Sequence, residues 1–319
     1  MGEFELIERY FKRPARQAAV GIGDDCAVWT PHPGHQLVFS ADMLVEGRHF
    51  LSTVSPRSLG HKALAVNLSD LAACGATPRA FLLSLSLPRS DEEWLSGFSQ
   101  GLLTLADSHA CELIGGDTTQ GPLNIAITVM GETPHGQAIL RSTAQTGDDI
   151  YVSGHLGDAR LALEVFRGNL SVPQAVFDLA RARMETPTPR MALGTSLRGI
   201  ASAMADVSDG LLGDLGHILK ASGVGAQLNL SVLSQLMLTR QAWDCPCEWL
   251  LRCVLSGGDD YELVFTAPPA SQQSVEAAAL SSGTPITRIG RITPGRGLVV
   301  MDDNGDVVHH DFRSFDHFA

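Results

Sequence analysis

The sequence predicts an α/β (α+β) chain in two domains, and three observations predict it. Strand-like and helical segments alternate from one end to the other. The length of 319 residues exceeds the usual single domain of about 100–200 residues. A Gly/Asp-rich break, reached through Ala138–Arg141 and running over Thr146-Gly-Asp-Asp149, interrupts the pattern near the middle. The expected division is 1–137, with a mixed sheet and helices, and 138–319, an α/β domain.

In chain order, Gly2 to Phe11 reads as a short amphipathic helix with Phe4, Ile7 and Phe11 on one side. Gly21-Ile-Gly-Asp-Asp25 is a Gly-rich turn leading to an expected strand around Cys26–Trp29. Gln36–Ser40 reads as a strand ending in Ser40-Ala-Asp-Met43, and Glu46–Phe50 as a loop. Lys62–Ala76 follows, with Leu64, Leu68 and Leu71 at helical spacing and Gly75 as the stop. Asn67 and Asp70 share a neighbouring stripe of that helix. Asp70 is the only formally charged side chain from Ala63 to Ala76. In so apolar a helix a carboxylate calls for a cation, either a nearby Arg or a metal ion shared with other acidic loops.

Phe81–Leu87 alternates as a strand does, and Asp91–Ala110 is helical with Ser90 or Asp91 as its N-cap. Glu112–Thr119 is a strand that turns at Gly115-Gly-Asp117, and Leu123–Gly131 is the next strand. The second half opens with the strand Asp149–Ser153, then Gly154–Gly157 and helices to about Phe166 and over Gln174–Met184. Ala203-Met-Ala-Asp-Val-Ser-Asp-Gly-Leu-Leu-Gly-Asp214 is an Asp cluster at a strand-to-helix junction where Ser208 or Asp209 is expected as the cap. The helix after it turns Leu211, Leu215, Ile218 and Leu219 inward. Ala226–Leu230 is a strand, and Ser256-Gly-Gly-Asp-Asp-Tyr-Glu-Leu263 a Gly-Gly turn before another. A helix near Gln272–Leu280, strands near Thr287–Ile292 and Gly297–Met301, and an aromatic tail complete the chain.

The totals exclude several classes. Net charge is 23 − 35 = −12, which argues against a nucleic-acid surface or a polybasic membrane segment. No apolar run is long enough to span a membrane, and the acidic start lacks a signal-peptide pattern, so the expected location is the cytoplasm. Cys245-Pro-Cys247 is the only close pair among six Cys, and a Zn site there would need two more ligands. No Gly-Lys-Ser/Thr loop occurs.

The acidic turns carry the chemistry. Asp24, Asp25, Asp42, Asp70, Asp117, Asp206 and Asp209 all sit at or beside strand ends or in an apolar helix. Singly, such residues are caps and turn formers. Together, hard oxygen donors without a His/Cys set favour Mg²⁺, which is held by a few carboxylates plus phosphate. Gly-rich turns let backbone N–H groups approach that phosphate.

Gly21–Asp25, Lys62–Ala76, Gly115-Gly-Asp-Thr118, Asp206–Gly210 and Ser256–Leu263 closely resemble the thiamine-monophosphate kinase family, within the superfamily of aminoimidazole ribonucleotide synthetase. The resemblance covers essentially the whole chain. It implies a synthetase-like fold that dimerises through the N-terminal sheet, with the site in a cleft between the domains. It also implies ATP-dependent phosphorylation of thiamine monophosphate to thiamine diphosphate, with several Mg²⁺ ions. Carried over, Asp25, Ser40, Ala41 (through its backbone), Asp42, Asp70, Asp117, Asp206 and Asp209 are the implied Mg²⁺ ligands. Gly116, Asp117, Arg141 and Ser208 are the implied ATP contacts; His49, Asp259 and Phe315 are the implied thiamine-phosphate contacts. The family usually has Glu-Asp where this chain has Asp259-Asp260, and Phe315 stands where a Tyr or other aromatic is common.

A phosphate acceptor, with its second pKa near ~6, needs no general base, so the expected chemistry is direct in-line transfer without a covalent enzyme intermediate. The alternatives are another ATP-dependent enzyme of the superfamily, or a Mg²⁺/nucleotide-binding protein without turnover. A selenophosphate synthetase is disfavoured, because no Cys or Lys precedes the first Gly-rich loop in the way its chemistry needs.

Overall fold

Helix α2, Pro56–Ala73, organises the first half. It starts six residues before the expected Lys62, because Ser55 and Pro56 form a start signal: the Ser55 hydroxyl accepts the Ser58 N–H at 3.0 Å, and Pro is pre-shaped for the first helical position. Leu64, Leu68 and Leu71 are fully buried, and so are Ala65 and Val66 on other sides, as befits a helix that is apolar all round. Gly75, at φ 63°, ends it as expected. Gly60 lies against the Phe98 carbonyl and Gly101 against the Arg57 carbonyl, distances that leave no room for a Cβ. The backbone of α2 therefore nearly touches that of α3, Glu92–Ser108. Asp91 caps α3 by accepting the Trp94 N–H at 3.1 Å.

The computed structural model describes residues 2–309, 311, 312, 314 and 315. Arg313 and residues 316–318 of the aromatic tail lie outside the described residues. Contacts divide the chain into two units, Met1–Leu71 with Ala76–Gln137, and Ala72–Gly75 with Ala138–Ala319.

The first unit begins with α1, Glu3–Tyr10, and holds a four-stranded mixed sheet in the order β1-β4-β2-β3. The strands are β1 His35–Val45, β2 Thr77–Leu87, β3 Glu112–Gln120 and β4 Asn124–Pro134. β2 and β3 run parallel, the other pairs antiparallel. One sheet face buries Leu44, Leu83, Leu85, Ile125, Ile127 and Val129. The other shows Phe39, Met43 and Leu82, of which Phe39 is 61% exposed. Part of that outer face is covered by segment 15–34, whose Ala18, Ala27 and Trp29 pack on Ala80, Ile114 and Met130. The strand expected around Cys26–Trp29 is not formed; a single bridge, Val20 to Val28, stands in its place. Pro31 and Pro33 interrupt any extension of that strand.

The second unit carries a six-stranded sheet in the order β10-β7-β9-β5-β8-β6. Its strands are β5 Asp149–Ser153, β6 Ala203–Val207, β7 Gly225–Asn229, β8 Glu262–Ala267, β9 Ile286–Thr293 and β10 Gly297–Met301. Only β10–β7 is parallel; the rest pair antiparallel. Its helices are α4 Asp158–Phe166, α5 Gln174–Glu185, α6 Met191–Ser196, α7 Leu211–Ser222, α8 Leu230–Leu233, α9 Cys247–Ser256 and α10 Gln272–Ser282. Leu211, Leu215, Ile218 and Leu219 of α7 enter a core shared with α4, α9 and the inner residues of β5, β6 and β8. Among the described residues, no helix is long and apolar enough to cross a membrane.

Candidate functional site

The first unit brings three of the predicted residues to the seam between β1 and α2. Alternation along β1 puts Ser40 and Asp42 on the face toward the helix. The Ser40 hydroxyl donates to Asp70 Oδ2. The Asp42 N–H donates to Asn67 Oδ1 at 3.1 Å, and the Asn67 amide is fixed in turn on the Ala63 carbonyl at 3.0 Å. Since β1 is an edge strand, the Asp42 backbone groups point away from the ladder and those of Ala41 toward Thr128 on β4. Asp117 lies elsewhere on the sheet. It occupies the cross-strand row of Met43, Ala126 and Ser84, which belongs to the outer face. Gly116, one residue before it, is held at φ 143°.

His49 sits after β1, where its Nδ1 accepts the Val45 N–H at 3.0 Å. That bond fixes the tautomer and leaves the ring proton on Nε2. The His49 carbonyl accepts from Nζ of buried Lys62 at 3.2 Å.

Asp24 and Asp25 ride on segment 15–34, and the Asp25 N–H is bonded to Asp24 Oδ1 at 2.8 Å. Two carboxylates anchor the segment. Glu112 accepts the N–H groups of Arg16, Gln17 and Ala18. Glu132, wholly buried, meets His32 Nδ1 at 2.7 Å and Arg79 Nε at 3.1 Å. Burial alone would raise the Glu132 pKa, but the bonds from His32 and Trp29 and the Arg79 charge hold it below the usual carboxylate value. The sequence reading named neither anchor, since each lies roughly a hundred positions from the backbone it holds.

In the second unit the Asp206–Gly210 junction is tied on every side. Asp206, at the end of β6, is buried. Neither Ser208 nor Asp209 caps α7. Instead Oδ2 of Asp214, inside the first turn, accepts the N–H groups of Ser208, Asp209 and Gly210, each at 3.1 Å. The reversal has a simple cause: Gly210, at φ 110°, curls the chain so that three consecutive N–H groups converge on one point. Burial pushes the Asp214 carboxyl up to about 7, against the pull of the Asp209 N–H; the Asp209 charge adds to the rise and the Arg141 charge opposes it. Arg141 is thus near the junction, on a segment held by the Leu140 carbonyl's bond to Met204 N–H at 3.2 Å.

The carbonyls of the same stretch are also taken. Val207 accepts from Tyr261 N–H at 2.9 Å, Ser208 from Asp259 N–H at 2.8 Å, and Asp209 from Phe315 N–H at 3.1 Å. The structure therefore joins Ser208, Asp209, Asp259 and Phe315 through main-chain bonds. Gly258 makes the approach possible, because any Cβ there would collide with the Ser208 carbonyl. Asp259 and Tyr261 both adopt left-handed backbone, φ 73° and 51°. Between them Asp260 is buried and accepts the Gly157 N–H at 2.9 Å; burial raises its pKa well above the usual value. Asp214 belongs to the acidic cluster read from the sequence but is given no role there, because an Asp in the first turn of a helix is common; the signal is its distance of four residues from Gly210.

Among the described residues, no three His, Cys, Asp or Glu side chains form a ready-made metal cluster. What is present, the Ser40–Asp70 pair and separate Asp side chains, is an all-oxygen donor set, and such a set fits Mg²⁺ completed by water and phosphate.

Comparison with known proteins gives these motifs a context. The family "AIR synthase related protein, N-terminal domain" matches residues 23–133, and its C-terminal counterpart matches residues 145–303. The chain is 44% identical over 324 residues to the thiamine-monophosphate kinase of Escherichia coli strain K12, covering 100% of this chain and 98% of that one. A solved thiamine-monophosphate kinase from Stenotrophomonas maltophilia K279a superposes with TM-score 0.85 at 42% identity, over 96% of each chain. A solved structure described as "AaThiL complexed with AMPPCP and TMP" gives TM-score 0.75 at 29% identity, over 91% of this chain and 89% of that one. The chain belongs to the thiamine-monophosphate kinase family of AIR synthase related proteins.

Proposed function

We propose that this protein transfers the γ-phosphoryl group of ATP directly to thiamine monophosphate, giving thiamine diphosphate and ADP. The full-length likeness to thiamine-monophosphate kinases carries the reading, and one similar structure is described with AMPPCP and TMP. Asp25, Ser40, Asp42, Asp70 and Asp117 in the first unit, with Asp206 and Asp209 in the second, would hold Mg²⁺; the Ala41 backbone, expected among them, is turned into the ladder toward Thr128 instead. When bound, Mg²⁺ neutralises phosphate charge and aligns donor with acceptor.

The chain's own residues do the rest. Gly116, without a side chain, lets backbone approach the nucleotide phosphates beside Asp117. Arg141 offers a planar fork to a phosphate oxygen pair, and Ser208 a hydroxyl. His49 donates from Nε2 to the acceptor phosphate, the proton being placed there by the bond its Nδ1 makes. Asp259 and Phe315 hold the thiamine rings by charge and by stacking. No side chain has to remove a proton, because a phosphate monoester with second pKa near ~6 is already a dianion at neutral pH. The exposed apolar residues of the outer sheet face, Phe39 and Met43 foremost, support dimerisation through that sheet.

The test is to incubate the protein with ATP, Mg²⁺ and thiamine monophosphate and resolve the products by chromatography. Equal yields of thiamine diphosphate and ADP, abolished by EDTA, are expected. ADP alone would point to a different acceptor, and nucleotide binding with neither product to a sensor. Asp70→Asn is expected to lower kcat by about 10²-fold or more, in the range seen when one charge-stabilising group is lost, with the circular dichroism spectrum unchanged.

A further inference from the structure

We propose that Asp214 is a positioning residue whose carboxylate sets the Ser208–Gly210 backbone and, through it, the residues on both the nucleotide and the acceptor side. The inference rests on the functional reading above and deepens it. Three consecutive N–H groups end on one oxygen of Asp214, each at 3.1 Å, and that side chain is 3% exposed. On the opposite edge of the same peptide run, the carbonyls of Val207, Ser208 and Asp209 accept from Tyr261, Asp259 and Phe315. The stretch therefore has one anchor for its donors and two separate chain segments on its acceptors.

The consequence is mechanical. Ser208 and Asp209 carry the side chains assigned to ATP and Mg²⁺, while Asp259 and Phe315 are assigned to thiamine monophosphate. Neither pair can shift without moving the peptide that the other is bonded to. Asp214 touches no substrate in this scheme; it acts only by keeping the curl at Gly210 closed. Three N–H groups, that of Gly210 buried and those of Ser208 and Asp209 partly so, lose their shared acceptor together, and the peptides must rotate to find others. A concave run of N–H groups is ordinarily a place where a bound anion sits. Here the chain fills it with its own carboxyl group, so this helix start is a rigid mount rather than a phosphate site.

The experiment compares Asp214→Ala and Asp214→Asn with wild type, reading kcat, KM for ATP, KM for thiamine monophosphate, AMPPCP affinity and melting temperature. All three bonds use one oxygen, so the Asn carbonyl can replace it and the Ala methyl cannot. Asp214→Ala should lower kcat by about 10²-fold, the scale of a displacement near 1 Å, and raise both KM values. Asp214→Asn should recover activity to within about tenfold of wild type, since it keeps the bonds and loses only their charge assistance. A folded Ala variant with wild-type kcat and both KM values unchanged would overturn the proposal. If the Ala variant does not fold, Asp214→Ser, whose hydroxyl sits one bond short of the carboxylate oxygen, takes its place: weaker AMPPCP binding and raised KM values beside a near-normal Asp214→Asn support positioning, and lower melting with unchanged kinetics refutes it. If wild type makes no thiamine diphosphate, the functional reading fails on its own, and AMPPCP affinity across the three proteins still tests the mount.

Discussion

Gly258→Ala tests how tightly the two loops of the second unit are locked together. The residue is glycine for space alone, since its φ lies outside the left-handed region. An added Cβ would stand 3.2 Å from Asp209 Cα, a tight contact, and far closer to the Ser208 carbonyl oxygen. That oxygen would have to retreat by about 1 Å to reach van der Waals separation. It cannot do so alone, because it also accepts the Asp259 N–H at 2.8 Å. The substitution should therefore displace Ser208 and Asp259 together, with an overpacking cost of about 1–3 kcal/mol and a fall in kcat of about 10²-fold. For a unit of this size the melting temperature should drop by roughly 2–10 °C. Gly216→Ala is the matched control: it lies in α7 with nothing within 4 Å of the added carbon. It should leave kcat alone and stabilise the helix by about 0.5–1 kcal/mol. Steady-state kinetics and differential scanning calorimetry on both variants decide the matter. Wild-type kcat and melting in Gly258→Ala would refute the claim that this contact is rigid.

Two further outcomes concern assembly and acid stability. Phe39→Glu puts a charge at the centre of the exposed apolar face of β1 and should shift sedimentation from dimer toward monomer; a monomeric wild type would remove the basis for that face as an interface. Glu262→Gln unpairs Arg190, bonded to both carboxylate oxygens at 2.6 Å, and Arg183, at 2.7 Å, and should cost about 3–5 kcal/mol in urea denaturation at neutral pH. Burial alone would raise the Glu262 pKa, but Arg190 and Arg183 bring it below the usual value. Its contribution is thus present above the unfolded pKa of ~4.3 and lost as pH falls through the folded value. The gap between wild type and variant should close below about pH 4; a gap that persists undiminished at pH 3 contradicts this.

Local chemistry was legible in the sequence, and long-range holding was not. The α2 stop at Gly75, the Asp91 cap and the inward face of α7 follow from spacing and residue type, because each involves neighbours within a turn or two. The start of α2 lies at Pro56 rather than near Lys62, since Ser55-Pro56 sets it and the apolar pattern alone begins later. A strand around Cys26–Trp29 is expected after the Gly-rich turn, yet segment 15–34 is fixed by Glu112 and by Glu132, itself paired with Arg79, and no local pattern reveals those partners. At the candidate site the acidic residues could be named from motifs. Their distribution could not: Ser40 and Asp42 face α2, while Asp117 falls on the other side of the sheet, and this depends on the β2–β3 register, which shifts between Phe81 and Leu82. The role of Asp214 stayed hidden because it is defined by the curl it closes.

The left-handed backbone at Asp259 bears on which residues this position can accept. For most side chains that conformation costs about 1–2 kcal/mol, and Asn and Asp tolerate it best after glycine. A Glu here, which the resemblance implies, would be less at ease with φ 73°; this chain's Asp avoids part of that strain while giving up one methylene of reach. Position 259 is thus a compromise between conformation and length. The residue that would relax the loop most, glycine, is the one that would erase the carboxylate.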